Sequence, residues 1–181
     1  IHLGILSTRL SFKILDWTSM KHLKLYLETS TWNFYYADDA PEKQAVTRAF
    51  FDSLPNSPYD LYISEVVMEE IDNASEMKAN QLRNLIIQVK PTILLLEPTV
   101  GQLADAYLTN QVLPPKAFAD AQQIAVATVN ELDYIVSWNL RHIANVHRQT
   151  KVNAINGLNG YTKPLQMITP IEVSYDNFET G

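Results

Sequence analysis

The chain has 181 residues, 46% of them hydrophobic and 19% charged, which suits one globular domain able to bury its own core without disulfides or structural metal. It contains no cysteine, so disulfide frameworks, thiolate zinc sites, iron–sulfur clusters and a cysteine nucleophile are excluded, and a cytoplasmic location is the matching expectation. The formal net charge of -6 excludes a protein that coats nucleic acid through bulk positive potential, so any nucleic-acid site must be local.

Residues 1–20 carry Arg9, Lys13 and Asp16 among short apolar runs, with no uninterrupted span to cross a bilayer and no cleavage-site pattern. Because Met20 stands just before the first strand, they read as an upstream extension or as an arm that packs on a partner. Residues 21–181 then form a single domain. Leu23 to Glu28 reads as a strand with Leu25 and Leu27 on one face, and Thr29, Ser30 and Thr31 offer helix-capping hydroxyls. Pro41 to Leu54 is a helix opened by proline and Glu42 and stopped by Leu54-Pro55-Asn56-Ser57-Pro58. A strand at Leu61 to Ile63 leads into a helix from Ser64 to about Ala74, a second helix from Ser75 to Val89, and a strand at Thr92 to Leu96.

Pro98 to Asn110 and Pro115 to Leu132 are helices separated by Pro114-Pro115, the second apolar nearly all round and therefore buried. Asp133 to Trp138 is a strand, Leu140 to about Thr150 a helix, Asn156 to Gly160 a loop, and Leu165 to Ile168 a closing strand. Strands alternating with helices predict an α/β fold, a three-layer αβα sandwich with a mainly parallel central sheet.

In such a sheet, functional groups gather outside the carboxyl ends of the strands. Glu28 ends the first strand, Ser64 follows the second, and Ser137 and Asn139 flank the end of the strand through Tyr134 to Val136. Asp133 falls at the opposite rim and reads as structural. On the helix after Ser64, Val66, Val67, Ile71 and Ala74 share a buried face that also holds Glu70, whereas Glu65, Glu69 and Asp72 face solvent. A carboxylate on a buried face is costly unless paired, protonated or bound to metal, which singles out Glu70. Asp120 lies early in its helix among small residues that leave room for a ligand, although helix-dipole stabilisation would also explain an acid there. Arg141, His142, His147, Arg148 and Lys151 concentrate positive charge after the last of these strands. Arg141 and Arg148, seven residues apart, are expected on one helical face, and the alternative is a solvated helix without a ligand. Trp32, Phe34, Tyr35 and Tyr36 read as core or dimer packing, with base stacking the alternative.

These residues resemble the PIN domain family, which includes VapC-type toxins of bacterial toxin–antitoxin systems. The resemblance runs from about Leu23 to Pro170 on the landmarks Leu25-Tyr26-Leu27-Glu28-Thr29-Ser30, Ile63-Ser64 through Glu70-Ile71, Asp120-Ala121-Gln122-Gln123-Ile124-Ala125 and Ile135-Val136-Ser137-Trp138-Asn139. It implies a PIN-like fold and a divalent-metal-dependent endoribonuclease that leaves a 5′-phosphate and a 3′-hydroxyl. Partners would be RNA, an antitoxin protein and a second copy in a homodimer, with no membrane. The family's acidic metal-ligand positions match Glu28, Glu70, Asp120 and Asn139, which would hold Mg²⁺ or Mn²⁺ as the catalytic set. Thr29 and Ser137 would bond the phosphate or a ligand, and Arg141, His142 and Arg148 would bind substrate.

Glu28 departs from the usual aspartate by one methylene, and Asn139 keeps an oxygen but loses a charge, so weaker metal affinity is expected. The alternative is a PIN-like module weakened in catalysis that binds RNA or protein. A dinucleotide-binding domain is disfavoured because Glu28-Thr29-Ser30-Thr31 has no glycine pattern. A receiver or aspartyl-phosphate phosphatase would need an aspartate nucleophile where Glu28 or Asn139 stands.

Overall fold

The computed structural model describes residues 22–175; the extension expected over residues 1–20 lies outside them. Five strands form one sheet: β1 (Leu23–Leu27), β2 (Tyr59–Ser64), β3 (Thr92–Leu94), β4 (Tyr134–Val136) and β5 (Gln166–Ile168). Their order is β3-β2-β1-β4-β5, and every neighbouring pair is parallel. The central strand shows why the sheet is covered on both sides. Leu25, Tyr26 and Leu27 are consecutive and all buried, which an alternating, half-solvated strand would not allow.

Eight helices connect and flank the strands: α1 (Thr29–Asn33), α2 (Pro41–Ser53), α3 (Glu65–Asp72), α4 (Glu76–Val89), α5 (Pro98–Thr109), α6 (Phe118–Val129), α7 (Val146–Leu158) and α8 (Pro170–Tyr175). The β1-to-β2 and β2-to-β3 connections step one way across the sheet, and the β3-to-β4 and β4-to-β5 connections step the other way. Right-handed crossovers therefore place α2 and α4 on one face and α5, α6 and α7 on the other. The packing agrees, with α2 against α8, and α5 against both α6 and α7. The result is the three-layer αβα sandwich expected from the sequence, with an entirely parallel sheet. Trp32 packs edge-on against Phe51, which meets Phe50 and Tyr35 in the same way, so Trp32, Phe50 and Phe51 are core and the partly buried Tyr35 packs against them. Ala121 and the run from Gln123 to Thr128 are buried, as the apolar character of α6 requires.

The region after β4 differs from the sequence expectation. Residues 140–145 form turns, and the helix runs from Val146 to Leu158, so its start is later and its end extends through the expected loop at Asn156. The cause is local. Asn139 Oδ1 accepts from His142 N at 3.0 Å, which holds the turn, and Asn145 Oδ1 accepts from Arg148 N at 3.1 Å, which starts the helix. Arg141 and Arg148 consequently do not share a helix. Gly157 lies inside α7 with open space around it, and the chain turns instead at Gly160, whose φ is +88°. Helix α8, beginning at Pro170, had no expectation from the sequence pattern.

The strand order reverses direction between β1 and β4, because the chain leaves β1 towards β2 and returns on the other side. That reversal opens a crevice at the carboxyl ends of these two strands, the place where open α/β sheets bind ligands.

Candidate functional site

Glu28 lies at this crevice as the N-cap of α1 and is 4% exposed. Its backbone N donates to Val136 O at 3.1 Å, which fixes the end of β1 against β4. Every hydrogen bond to its carboxylate among the described residues falls on Oε2, from Ser30 N at 3.1 Å, Ser137 Oγ at 2.7 Å and Ser30 Oγ. The Thr29-Ser30-Thr31 hydroxyls, expected as caps, serve other partners. Thr29 donates to Glu70, Ser30 to Glu28, and Thr31 to Val136 O at 2.8 Å.

Glu70 is half-buried on α3, while Glu65, Glu69 and Asp72 of the same helix are more open to solvent, so the helical register selects the same glutamate as the sequence pattern. Its Oε2 accepts from Thr29 Oγ1 and from Gln123 Nε2, the latter at 2.8 Å. Asp120 starts α6 across the crevice. Its Oδ1 accepts from Asn139 Nδ2 at 3.0 Å, and its Oδ2 lies 2.7 Å from His142 Nδ1. Two loops are joined in this way, because Asn139 N also donates to Ser137 Oγ at 2.8 Å and Trp138 N to Ser30 Oγ at 2.8 Å.

The electrostatics follow from burial among neutral donors. Desolvation pushes the Glu28 carboxyl up to about 7, with the nearby charge of Asp120 adding to the rise and the Ser30 and Ser137 hydrogen bonds opposing it. Burial likewise raises Glu70, against the hydrogen bonds from Thr29 and Gln123, and Asp120's charge again adds to the rise. Asp120 thus bears on both glutamates. Among the described residues no lysine or arginine pairs with any of these acids, whose sole ion-pair partner is His142 on Asp120.

As a donor set, these carboxylates offer the hard oxygens that Mg²⁺ and Mn²⁺ prefer. The Oε1 of Glu28 has no protein partner among the described residues, and no fully buried side-chain polar atom among them lacks one. The side chains do not converge on a common point. Among the described residues, no three His, Asp or Glu side chains form a group arranged to hold a metal ion. The hydrogen bonds explain this, because Asp120 turns one oxygen to Asn139 and the other to His142. Asn139 gives its own oxygen to His142 N and its amide to Asp120, and so acts on its neighbours in the loop.

Of the expected phosphate contacts, Thr29 and Ser137 are buried and bonded to the glutamates. Arg141 is exposed in the turn, and Arg148 is half-buried on α7. Two contributors escaped the sequence reading. Gln123 is fully buried and touches Glu70, Thr29 (3.2 Å) and, through Oε1, the hydroxyl of Tyr26 (3.3 Å), which in turn meets Ser64 Oγ at 2.6 Å. Ser30 is the other. The signal for Gln123 was present, since it lies one turn after Asp120 and shares its side of α6 with Val126 and Ala127, a polar residue in an apolar sector, the argument that singled out Glu70.

A groove of about 730 Å³ lies elsewhere, towards the amino ends of β2 and β3 between Phe51, Leu54, Tyr59, Leu61, Leu85 and Lys90. It shares no residue with the acidic crevice, which is defined by its chemistry and not by its volume. Among the described residues no helix is long and apolar enough to cross a membrane. No protein-family model matches the chain, and no curated protein matches it. Fold and site together define a parallel α/β protein with buried acids at the switch point of its sheet.

Proposed function

We propose that the chain is a divalent-metal-dependent endoribonuclease of PIN type, acting on RNA as the toxin of a toxin–antitoxin pair. The observation that carries this reading is the placement of Glu28, Glu70 and Asp120 at the switch-point crevice with, among the described residues, no lysine or arginine to neutralise them. Like charges in a partly buried crevice raise one another's proton affinity, and a divalent cation relieves the same repulsion. Mg²⁺ or Mn²⁺ bound there would supply an activated water and a counter-charge for the phosphate.

The chain's own residues prepare the site for that ion. Ser30 and Ser137 hold Glu28 by Oε2, and Thr29 and Gln123 hold Glu70 by Oε2, which in each leaves Oε1 without a protein partner among the described residues. Asn139 and His142 hold Asp120 and would give way to the ion. Arg141 and Arg148 would supply positive charge towards RNA, with His142 beside them on Asp120.

One observation favours a second reading, a module that binds RNA or protein without cleaving: both Asp120 oxygens are already engaged. The test is incubation of single-stranded and structured RNA with the protein in Mn²⁺, Mg²⁺ or EDTA. Metal-dependent cleavage that Glu70→Ala and Asp120→Ala abolish supports the nuclease. Cleavage surviving both substitutions removes the proposed site, and RNA binding without cleavage under any condition selects the second reading.

A further inference from the structure

Beside the acidic crevice, one cation is held in a fixed place without being used on the acids. Lys43, half-buried in the first turn of α2, has its Nζ 4.8 Å from the ring centroid of Phe34 and 5.3 Å from that of Trp138. The two rings are 5.9 Å apart and inclined by 55°, so the ammonium lies against both. This clasp is anchored. Trp138 Nε1 donates to Thr47 Oγ1 at 2.8 Å, and Thr47 Oγ1 donates to Lys43 O at 2.7 Å, which joins the indole to the helical turn that carries the lysine. Trp138 also connects to the site through its backbone, since its N donates to Ser30 Oγ, the hydroxyl that bonds Glu28.

Lys43 has no carboxylate partner among the described residues. Aromatic faces attract an ammonium but accept its N–H bonds only weakly, so its donors are left to solvent or to an anion, and a charged phosphate oxygen is a stronger acceptor than either ring. A chain of net charge -6 also needs a local cation wherever a polyanion meets its acids. We propose that Lys43, positioned by the Phe34–Trp138 clasp, anchors a phosphodiester of single-stranded nucleic acid beside the acidic crevice. The anchor rests on the proposed nucleic-acid function and adds a residue that the basic segment after β4 does not contain.

Anisotropy of a fluorescein-labelled RNA 12-mer in EDTA, across 50–200 mM salt, measures this without cleavage. Lys43→Met keeps the stem on the rings and removes the charge. The variant should bind about eightfold more weakly at 50 mM salt, with a salt slope shallower by about 0.7, the amount expected for one phosphate on a single strand. Lys43→Arg should retain most of the affinity, and a DNA 12-mer should lose as much as RNA. An unchanged slope in Lys43→Met, a loss confined to RNA, or no RNA binding by the parent protein would overturn the anchor. Thermal unfolding of each variant separates a folding defect from lost contact, and Lys43→Gln, with the same expected loss and the same shallower slope, carries the test if Lys43→Met unfolds. Binding that responds to Lys43 without metal-dependent cleavage would remove the nuclease reading alone, and cleavage with unaltered binding in Lys43→Met would remove the anchor alone.

Discussion

The two rims of the sheet hold acids of opposite kind. At the amino rim, Asp133 accepts from Lys24 N at 2.8 Å and pairs with Lys163 Nζ at 2.8 Å, so its charge is balanced by a cation of the chain. At the carboxyl rim, Glu28 and Glu70 are held by hydroxyls, an amide and a backbone N–H, and both feel the charge of Asp120. A balanced acid stabilises the fold and has little left to offer a ligand. An acid buried among neutral donors keeps its demand for a cation, and this difference between the rims is what the proposed function rests on.

The largest expected effect breaks the carboxyl rim alone. Asp120→Ala and Glu70→Ala should each lower metal-dependent RNA cleavage by more than about 100-fold, beyond the range typical of residues that only orient a metal ligand. Single-turnover rates on single-stranded RNA check this. Next in size is a pH effect on the metal-free protein. Glu28 has its folded pKa raised from an ordinary 4.5 to about 7, so the folded state binds the proton more tightly than the unfolded state does. Stability from this group is therefore present at low pH and is lost as pH rises from about 4.5 through about 7, by on the order of 3 kcal/mol. Urea denaturation at several pH values should show that decline, and Glu28→Gln should flatten it.

Smaller effects sharpen the contrast. Gln123→Leu removes the amide that steers Glu70 and should weaken Mn²⁺ binding by about 10–100-fold in calorimetric titration, while the fold persists. Asp133→Ala should leave cleavage per folded molecule unchanged and lower stability in urea by about 1 kcal/mol, through the lost bond to Lys24 N.

How much of this was legible in the sequence varies with the kind of signal. The sheet and its layers were, because strand and helix periods alternate along the chain. Glu70 was also legible, because an acid in the apolar sector of a helix stands out against 3.6-residue periodicity. Asp133 and Glu28 were separable by strand polarity alone. What escaped depends on side-chain partners far apart in the chain. The turn over residues 140–145 is set by the Asn139 and Asn145 side chains, and residues of the helix-favouring type around them gave no warning. The Asn139-to-Asp120 bond spans 19 residues and the Gln123-to-Thr29 bond 94, separations at which no periodic pattern speaks. Lys43 was invisible for the same reason, since its clasp exists only once α2 and the loop after β4 are brought together.

Calorimetric titration of Mn²⁺ into the parent protein at pH 7, repeated in buffers of different ionisation enthalpy, tests the contrast between the rims most directly. With Glu28 titrating near 7, binding should displace about half a proton or more, because a metal competes with the proton for a carboxylate. Both the binding and the proton release should disappear in Asp120→Ala and persist in Asp133→Ala. Mn²⁺ binding that survives Asp120→Ala, or no binding by the parent protein at millimolar metal, would contradict a cation site at the carboxyl rim.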